Sequence, residues 1–168
     1  MPRIPTEPFL TLRHEVYRWA YRIVGQHQEA ADIVQDVFIR WTRQCRQTEP
    51  TKPKAWLRRV TINRALDVCR RRHGQDFQHD DSQPVSRETL SPTVPFHATV
   101  EKEQHEAVRH AMTRCTESQQ YVIAAKVFDG ATFAAIAIDM DVSESTVKTH
   151  YVRAIRKIRD ELEKQDEP

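Results

Sequence analysis

One segment, residues 131–159 (ATFAAIAIDMDVSESTVKTHYVRAIRKIR), narrows the folds open to this chain more than any other. From Ser143 onward the apolar residues Val147, Tyr151, Ala154, Ile155, Ile158 and Leu162 recur three or four apart. That spacing predicts a helix with one packed face, while Ser145, Lys148, Thr149 and Arg153 project from the rest. A shorter helix and a tight turn come just before it, which is the pattern of a helix-turn-helix with its recognition helix second. Ser143 suits the N-cap, where a hydroxyl accepts from an otherwise unpaired backbone N–H. Lys148 to Arg159 holds five Lys or Arg and no acid, a local positive field suited to phosphate. A solvated αα-hairpin would carry the same charges, but the turn and the helix together favour DNA binding.

Gly is scarce and strong strand runs are absent in the 168 residues, so the predicted class is all-α, in two small helical domains. The net charge of +2 conceals an asymmetry: residues 1–73 carry 15 basic and 7 acidic side chains, whereas 74–98 carry 1 and 4, and 99–168 carry 10 and 13. Contact with a polyanion is therefore expected from the N-terminal block and from one helix of the C-terminal block. No apolar run approaches the roughly 20 residues that span a bilayer, and MPRIPTEP lacks the apolar core of a secretion signal, so the expected location is cytoplasmic, without membrane insertion. Cys45, Cys69 and Cys115 are odd in number and set inside helical patterns, which predicts buried thiols. No metal or cofactor is expected. No nucleophile and base pair or phosphate-cradling Gly loop emerges either, so neither an enzyme nor a small-molecule substrate is predicted.

Three helices are readable in the first block, 1–73. Phe9, Leu12, Val16, Ala20 and Ile23 or Val24 stripe the first; Ala30, Val34, Val37, Phe38, Trp41 and Cys45 stripe the second, with Gly25 between them as a C-cap. A third starts near Pro53, where a first-turn proline is tolerated, and runs to about His73 and Gly74. It commits two faces: Ile62, Ala65, Leu66 and Cys69 on one, and Trp56, Val60, Asn63, Asp67 and Arg71 on the other. Residues 74–98 contain Pro84, Pro92 and Pro95 with little periodicity, which predicts a flexible linker able to reach up to about 80 Å. The block 99–168 then reads as four helices: one carrying Val100, Ala107, Val108, Ala111 and Met112, one over QQYVIAAKVF, and the helix-turn-helix at about 132–159.

In order, YRWAYRIVGQHQEAADIVQDVFIRWTR with KAWLRRVTINRALDVCRRR, and then AVRHAMTRCTESQQYVIAAKVFDGATFAAIAIDMDVSESTVKTHYVRAIRKIR, resemble the sigma-two and sigma-four domains of bacterial RNA polymerase sigma factors of the extracytoplasmic-function (ECF) class. The resemblance implies core RNA polymerase and promoter DNA as partners. Family members are often held by an anti-sigma factor as well, although no residue here identifies one. It implies that the helix containing ADIVQDVFIRW docks on polymerase through Asp32, Gln35, Asp36, Ile39 and Arg40, a face opposite the packed stripe that also suits an ordinary solvated helix.

It further implies that the loop from Cys45 to Lys54 and the third helix melt the minus-ten element. Asn63 would sit beside a flipped-base pocket, and Arg58, Arg59, Arg64, Arg70, Arg71 and Arg72 would contact the backbone. Trp56 reads as a core residue or a stacking platform, and Asp67 as a further polar contact or a structural carboxylate held by an Arg. Glu144, Ser145, Lys148, Thr149 and Arg153 would read the minus-thirty-five element in the major groove. The chain departs from the family pattern at Ala135, where Glu is usual, at Asp141, where the turn usually has Gly, and at Cys115 and Gln120. The rival reading is a helix-turn-helix transcription regulator that is not a polymerase subunit.

Overall fold

The computed structural model describes residues 5–76 and 96–166, with side chains described over 5–72 and 105–164. The linker expectation for 77–95, with its three prolines, and the stripe position Val100 lie outside these limits. Among the described residues every regular element is helical.

The first unit is three helices, α1 (Glu7–Val24), α2 (His27–Gln47) and α3 (Pro53–Asp76), each packed on the other two. The expected stripes supply the core: Phe9, Val16, Ala20, Ile23 and Val24 of α1, Ala30, Val34, Val37 and Trp41 of α2, and Ile62, Ala65, Leu66 and Cys69 of α3 are all buried. Gly25 ends α1 in the left-handed region (φ 73°), its N–H donating to Tyr21 O at 2.8 Å. A Cβ at this position would meet the Arg109 guanidinium at 3.0 Å, a contact that the flexible end of that side chain can relieve, so it is the positive φ that favours glycine here. Trp41 is fully buried and its indole N–H donates to Pro5 O at 2.8 Å, which satisfies the one polar atom of that side chain.

The second unit contains α4 (Phe96–Thr113), α5 (Glu117–Ile123), α6 (Phe133–Met140) and α7 (Glu144–Asp166). Thr116 opens α5 with a capping box: its hydroxyl accepts from Gln119 N and the Gln119 side chain accepts from Thr116 N. The helix expected over QQYVIAAKVF forms, but its last part is not α-helical. From Ala124 to Phe128 it widens into a π-helical turn, with Asp129 N donating to Ala124 O and Ala131 N to Ala125 O. Thr132 caps α6 by accepting from Ala135 N at 3.1 Å. Asp141 takes the left-handed conformation (φ 55°, ψ 44°) that closes the turn, which a short polar side chain adopts at modest cost. Ser143 then caps α7, its hydroxyl accepting from Thr146 N at 3.2 Å.

The two units are not held apart. α3 lies against α4 and α5, and the buried apolar side chains of both units form one continuous cluster. Of the partly polar second face of α3, Asn63 bonds to the second unit, and Arg58, Arg59 and Arg72, which lie off that stripe, reach it as well.

Candidate polymerase and nucleic-acid interfaces

α7 divides as its periodicity requires. Val147, Ala154 and Ile158 are buried where α7 packs on α4, α5 and α6, while Glu144, Ser145, Lys148, Thr149 and Arg153 are all exposed. Lys148 Nζ lies 2.8 Å from Glu144 Oε1 one turn back, and the Thr149 hydroxyl donates to Ser145 O at 3.0 Å. These short-range contacts hold the side chains along the helix without removing them from solvent. Arg156 lines the same shallow groove as Lys148, Thr149, Val152 and Arg153. Sequence reasoning omitted Arg156 from the site, although its spacing of three from Arg153 puts it on the same side.

On α2, Asp32, Gln35, Ile39 and Arg40 are exposed, and Ile39 keeps 46% of its surface in solvent. Asp36 differs from these four. It is half-buried and its Oδ2 accepts from Arg64 Nε at 2.6 Å, so this carboxylate ties α2 to α3. Arg64, expected on DNA, is correspondingly occupied within the first unit.

α2 stops at Gln47, so the loop proper is 48–52, shorter than the Cys45 to Lys54 stretch marked from sequence. A recess of about 410 Å³ lies here, lined on one side by Thr48, Pro50, Trp56 and Arg59. Its other side is supplied by Asp139, Met140 and Asp141 of the second unit. Trp56 is half-buried with its ring edge-on to Trp41 at 5.6 Å, which makes it both a core residue and part of the recess wall.

The remaining α3 cations face several directions. Arg58 is almost fully buried: Nη2 donates to Asp129 at 2.6 Å, Nη1 donates to Asp139 at 2.7 Å, and the guanidinium sits over the Trp19 ring at 5.2 Å. Asn63 Nδ2 donates to Glu117 at 3.0 Å. Arg59 lies over the Tyr121 ring at 5.8 Å, and Arg72 pairs with Glu29 and with Glu106. Arg70 holds Asp67 at 2.6 Å, the structural pairing foreseen for that carboxylate, and Arg71 is exposed. Sequence reasoning missed the acidic partners Glu117, Asp129 and Asp139, because nothing local marks them off from solvated carboxylates.

Burial opposes the charge on Arg58, but Tyr121, Asp129 and Asp139 outweigh it and push its pKa upward. The Tyr121 hydroxyl donates to Asp139 at 3.2 Å, and burial first, with Asp139 adding, pushes its pKa up to about 12. Arg58 and Tyr121 thus keep their protons through the neutral range.

Comparison with known proteins finds a family match for each helical unit. Sigma-70 region 2 matches residues 9–74 and Sigma-70, region 4 matches residues 105–158, in the order of the two helical units. The ECF RNA polymerase sigma factor SigE of Mycolicibacterium smegmatis is 28% identical over 151 residues, covering 89% of this chain and 58% of that protein. The chain therefore spans less than two thirds of that relative's length. The ECF RNA polymerase sigma factor SigL of Mycobacterium tuberculosis is 28% identical over 152 residues, covering 88% of this chain and 84% of that protein. Among solved structures, the sigma factor RpoE in complex with the anti-sigma factor NepR from Bartonella quintana overlaps with a TM-score of 0.46 at 19% identity, covering 94% of this chain and 95% of that one. Matched along its length by region 2 and then region 4, the chain belongs to the sigma-70 family of RNA polymerase sigma factors, in the extracytoplasmic-function class.

Proposed function

We propose that this chain binds core RNA polymerase and directs promoter-specific initiation, with no catalytic chemistry of its own. The observation that carries the reading is the division of α7: a stripe locked into the second unit leaves Lys148, Thr149, Arg153 and Arg156 in solvent, after a turn of helix-turn-helix geometry. One helix in a major groove gives modest specificity. A second DNA contact through Asn63 and the arginines of α3, on a shared polymerase scaffold, raises the effective affinity without any new chemistry. The exposed face Asp32, Gln35, Ile39 and Arg40 on α2 is the proposed polymerase contact, an apolar side chain ringed by polar ones. Asp36 serves that face indirectly, by fixing α2 on α3 through Arg64.

No described helix is long and apolar enough to cross a membrane, and a cytoplasmic site of action goes with the polymerase partner. An anti-sigma factor belongs to this reading only by kinship.

The test is co-purification with core polymerase together with promoter-dependent run-off transcription. Both are expected. Promoter binding by the chain alone, with neither polymerase association nor stimulated transcription, would instead identify a regulator that is not a polymerase subunit.

A further inference from the structure

A second recess, of about 780 Å³, lies where the end of α1 and the start of α2 meet α4 and the π-helical turn. Small-molecule sites usually measure about 300–1,000 Å³. Of the residues assigned above to polymerase or DNA, only Arg72 lines it. Its lining divides by chemistry. Val108 of α4 and Val127 and Phe128 of the π-helical turn are apolar, and Val127 keeps 56% of its surface in solvent. Single π-helical turns recur at functional sites, and this one supplies two of the three apolar side chains. The charged part is three guanidinium groups, those of Arg22, Arg72 and Arg109. Glu106 accepts from Arg72 and from Arg109 at 3.3 Å, and Glu29 pairs with Arg72, so two carboxylates against three guanidinium groups leave a net positive charge. The Arg109 side chain is only 14% exposed and its guanidinium lies against Gly25, so its position is set before any ligand arrives.

We infer that this recess is a small-molecule site for a nucleoside phosphate, with the phosphate held by Arg22 and Arg109 and the base laid on Val108, Val127 and Phe128. A guanidinium is planar and offers paired N–H donors to two phosphate oxygens at once, and a base presents a flat face suited to an apolar wall. The lining asks for both parts in one molecule. An inorganic anion alone leaves the apolar wall in water, and an apolar molecule alone covers guanidinium groups without giving them an acceptor. Arg72 is occupied by Glu29, Glu106 and the Val24 carbonyl, which leaves the phosphate to Arg109 and to Arg22, exposed at the end of α1. The inference does not rest on the sigma-factor reading, because none of the five contact residues is assigned there to polymerase or DNA.

The experiment is isothermal titration calorimetry of the full chain with AMP and with GMP, beside adenosine and inorganic phosphate as the two halves of the ligand. At least one nucleotide should bind saturably at one site per chain, roughly tenfold or more tighter than adenosine and than phosphate. Phosphate bound as tightly as the nucleotide means an adventitious ion only and overturns the inference. Adenosine bound as tightly, or no saturable binding of either nucleotide, overturns it as well.

Variants then place the site. Arg22 and Val127 are exposed, so Arg22→Gln and Val127→Glu leave the packed stripes intact, which circular dichroism checks. Each should weaken nucleotide binding roughly tenfold or more, the first by removing a phosphate partner and the second by setting a charge on the apolar wall. Arg13→Gln removes the same charge as Arg22→Gln at an exposed position of α1 that does not line the recess, and should match the native chain. Nucleotide binding that survives unchanged in Arg22→Gln or in Val127→Glu overturns the inference, and so does an equal loss in Arg13→Gln.

Discussion

Ile39→Ala tests the polymerase contact with least interference from folding. Burying an isoleucine completely is worth about 1.5–3 kcal/mol. With 46% of Ile39 still exposed, a partner that covers the rest gains roughly 1 kcal/mol, so truncation should raise the Kd for core polymerase about fivefold. The portion already covered costs the fold a similar amount, roughly 1 kcal/mol, or a few degrees in Tm. The Thr42 hydroxyl donates to the backbone carbonyl of Ile39 at 2.8 Å, a contact that truncation leaves intact. Ile39→Asp should weaken binding further, since it places a charge where an apolar surface is covered. Reversing Asp36 is a poorer test, because a cation there would face Arg64 across 2.6 Å and disturb the packing of α2 on α3. The assay is fluorescence titration of labelled chain with core polymerase, alongside circular dichroism. An unchanged Kd for both Ile39 variants, with helicity retained, refutes the assignment of this face.

Arg153→Ala should reduce promoter occupancy by the holoenzyme while polymerase affinity holds, because Arg153 is exposed and outside the packed stripe. Footprinting across a salt series separates the two modes: a phosphate contact lowers the log–log slope by about 1, and a base contact costs about 1–3 kcal/mol at one position. Thr116→Ala removes the capping box of α5 and should cost about 1 kcal/mol in calorimetry, with an unaltered Tm counting against the cap. Burial pushes Tyr121 up to about 12, above its ordinary 10, so the fold favours the neutral phenol. Its contribution is complete below pH 10 and vanishes as pH rises toward 12. Tyr121→Phe should therefore flatten the stability profile in that window, and an identical profile would refute the placement. Thiol reagents at neutral pH should modify half-buried Cys45 well before buried Cys69, which burial pushes up to about 11, and Cys115. Mass spectrometry of partial reactions reads the order, and equal rates would refute it.

What could be read from the sequence was periodic or local. The stripes of α1, α2 and α7 name their own buried faces because one helix period fixes which side chains share a side. Gly25 and Asp141 were legible because a left-handed residue is chemically restricted, and Ser143 because a cap is set by its immediate neighbours. The π-helical turn was not legible: Ala124 to Phe128 has ordinary helical composition, and its register change is imposed by Ala131 and Asp129 reaching back. Nor was the pairing of Arg58 with residues 71 and 81 positions away, since a charge carries no sign of its partner.

The junction of the units joins one continuous apolar cluster to buried charge. A wholly apolar seam of matched shape would be hard to part, and would leave a sticky surface on α3 once parted. A buried ion pair behaves differently: its attraction roughly offsets the desolvation of its members, so it fixes register more than it adds stability. Removing one partner, by contrast, costs about 3–5 kcal/mol, because the survivor is left buried and charged. Arg58 therefore has one good environment, between Asp129 and Asp139, and one bad one, alone in the core.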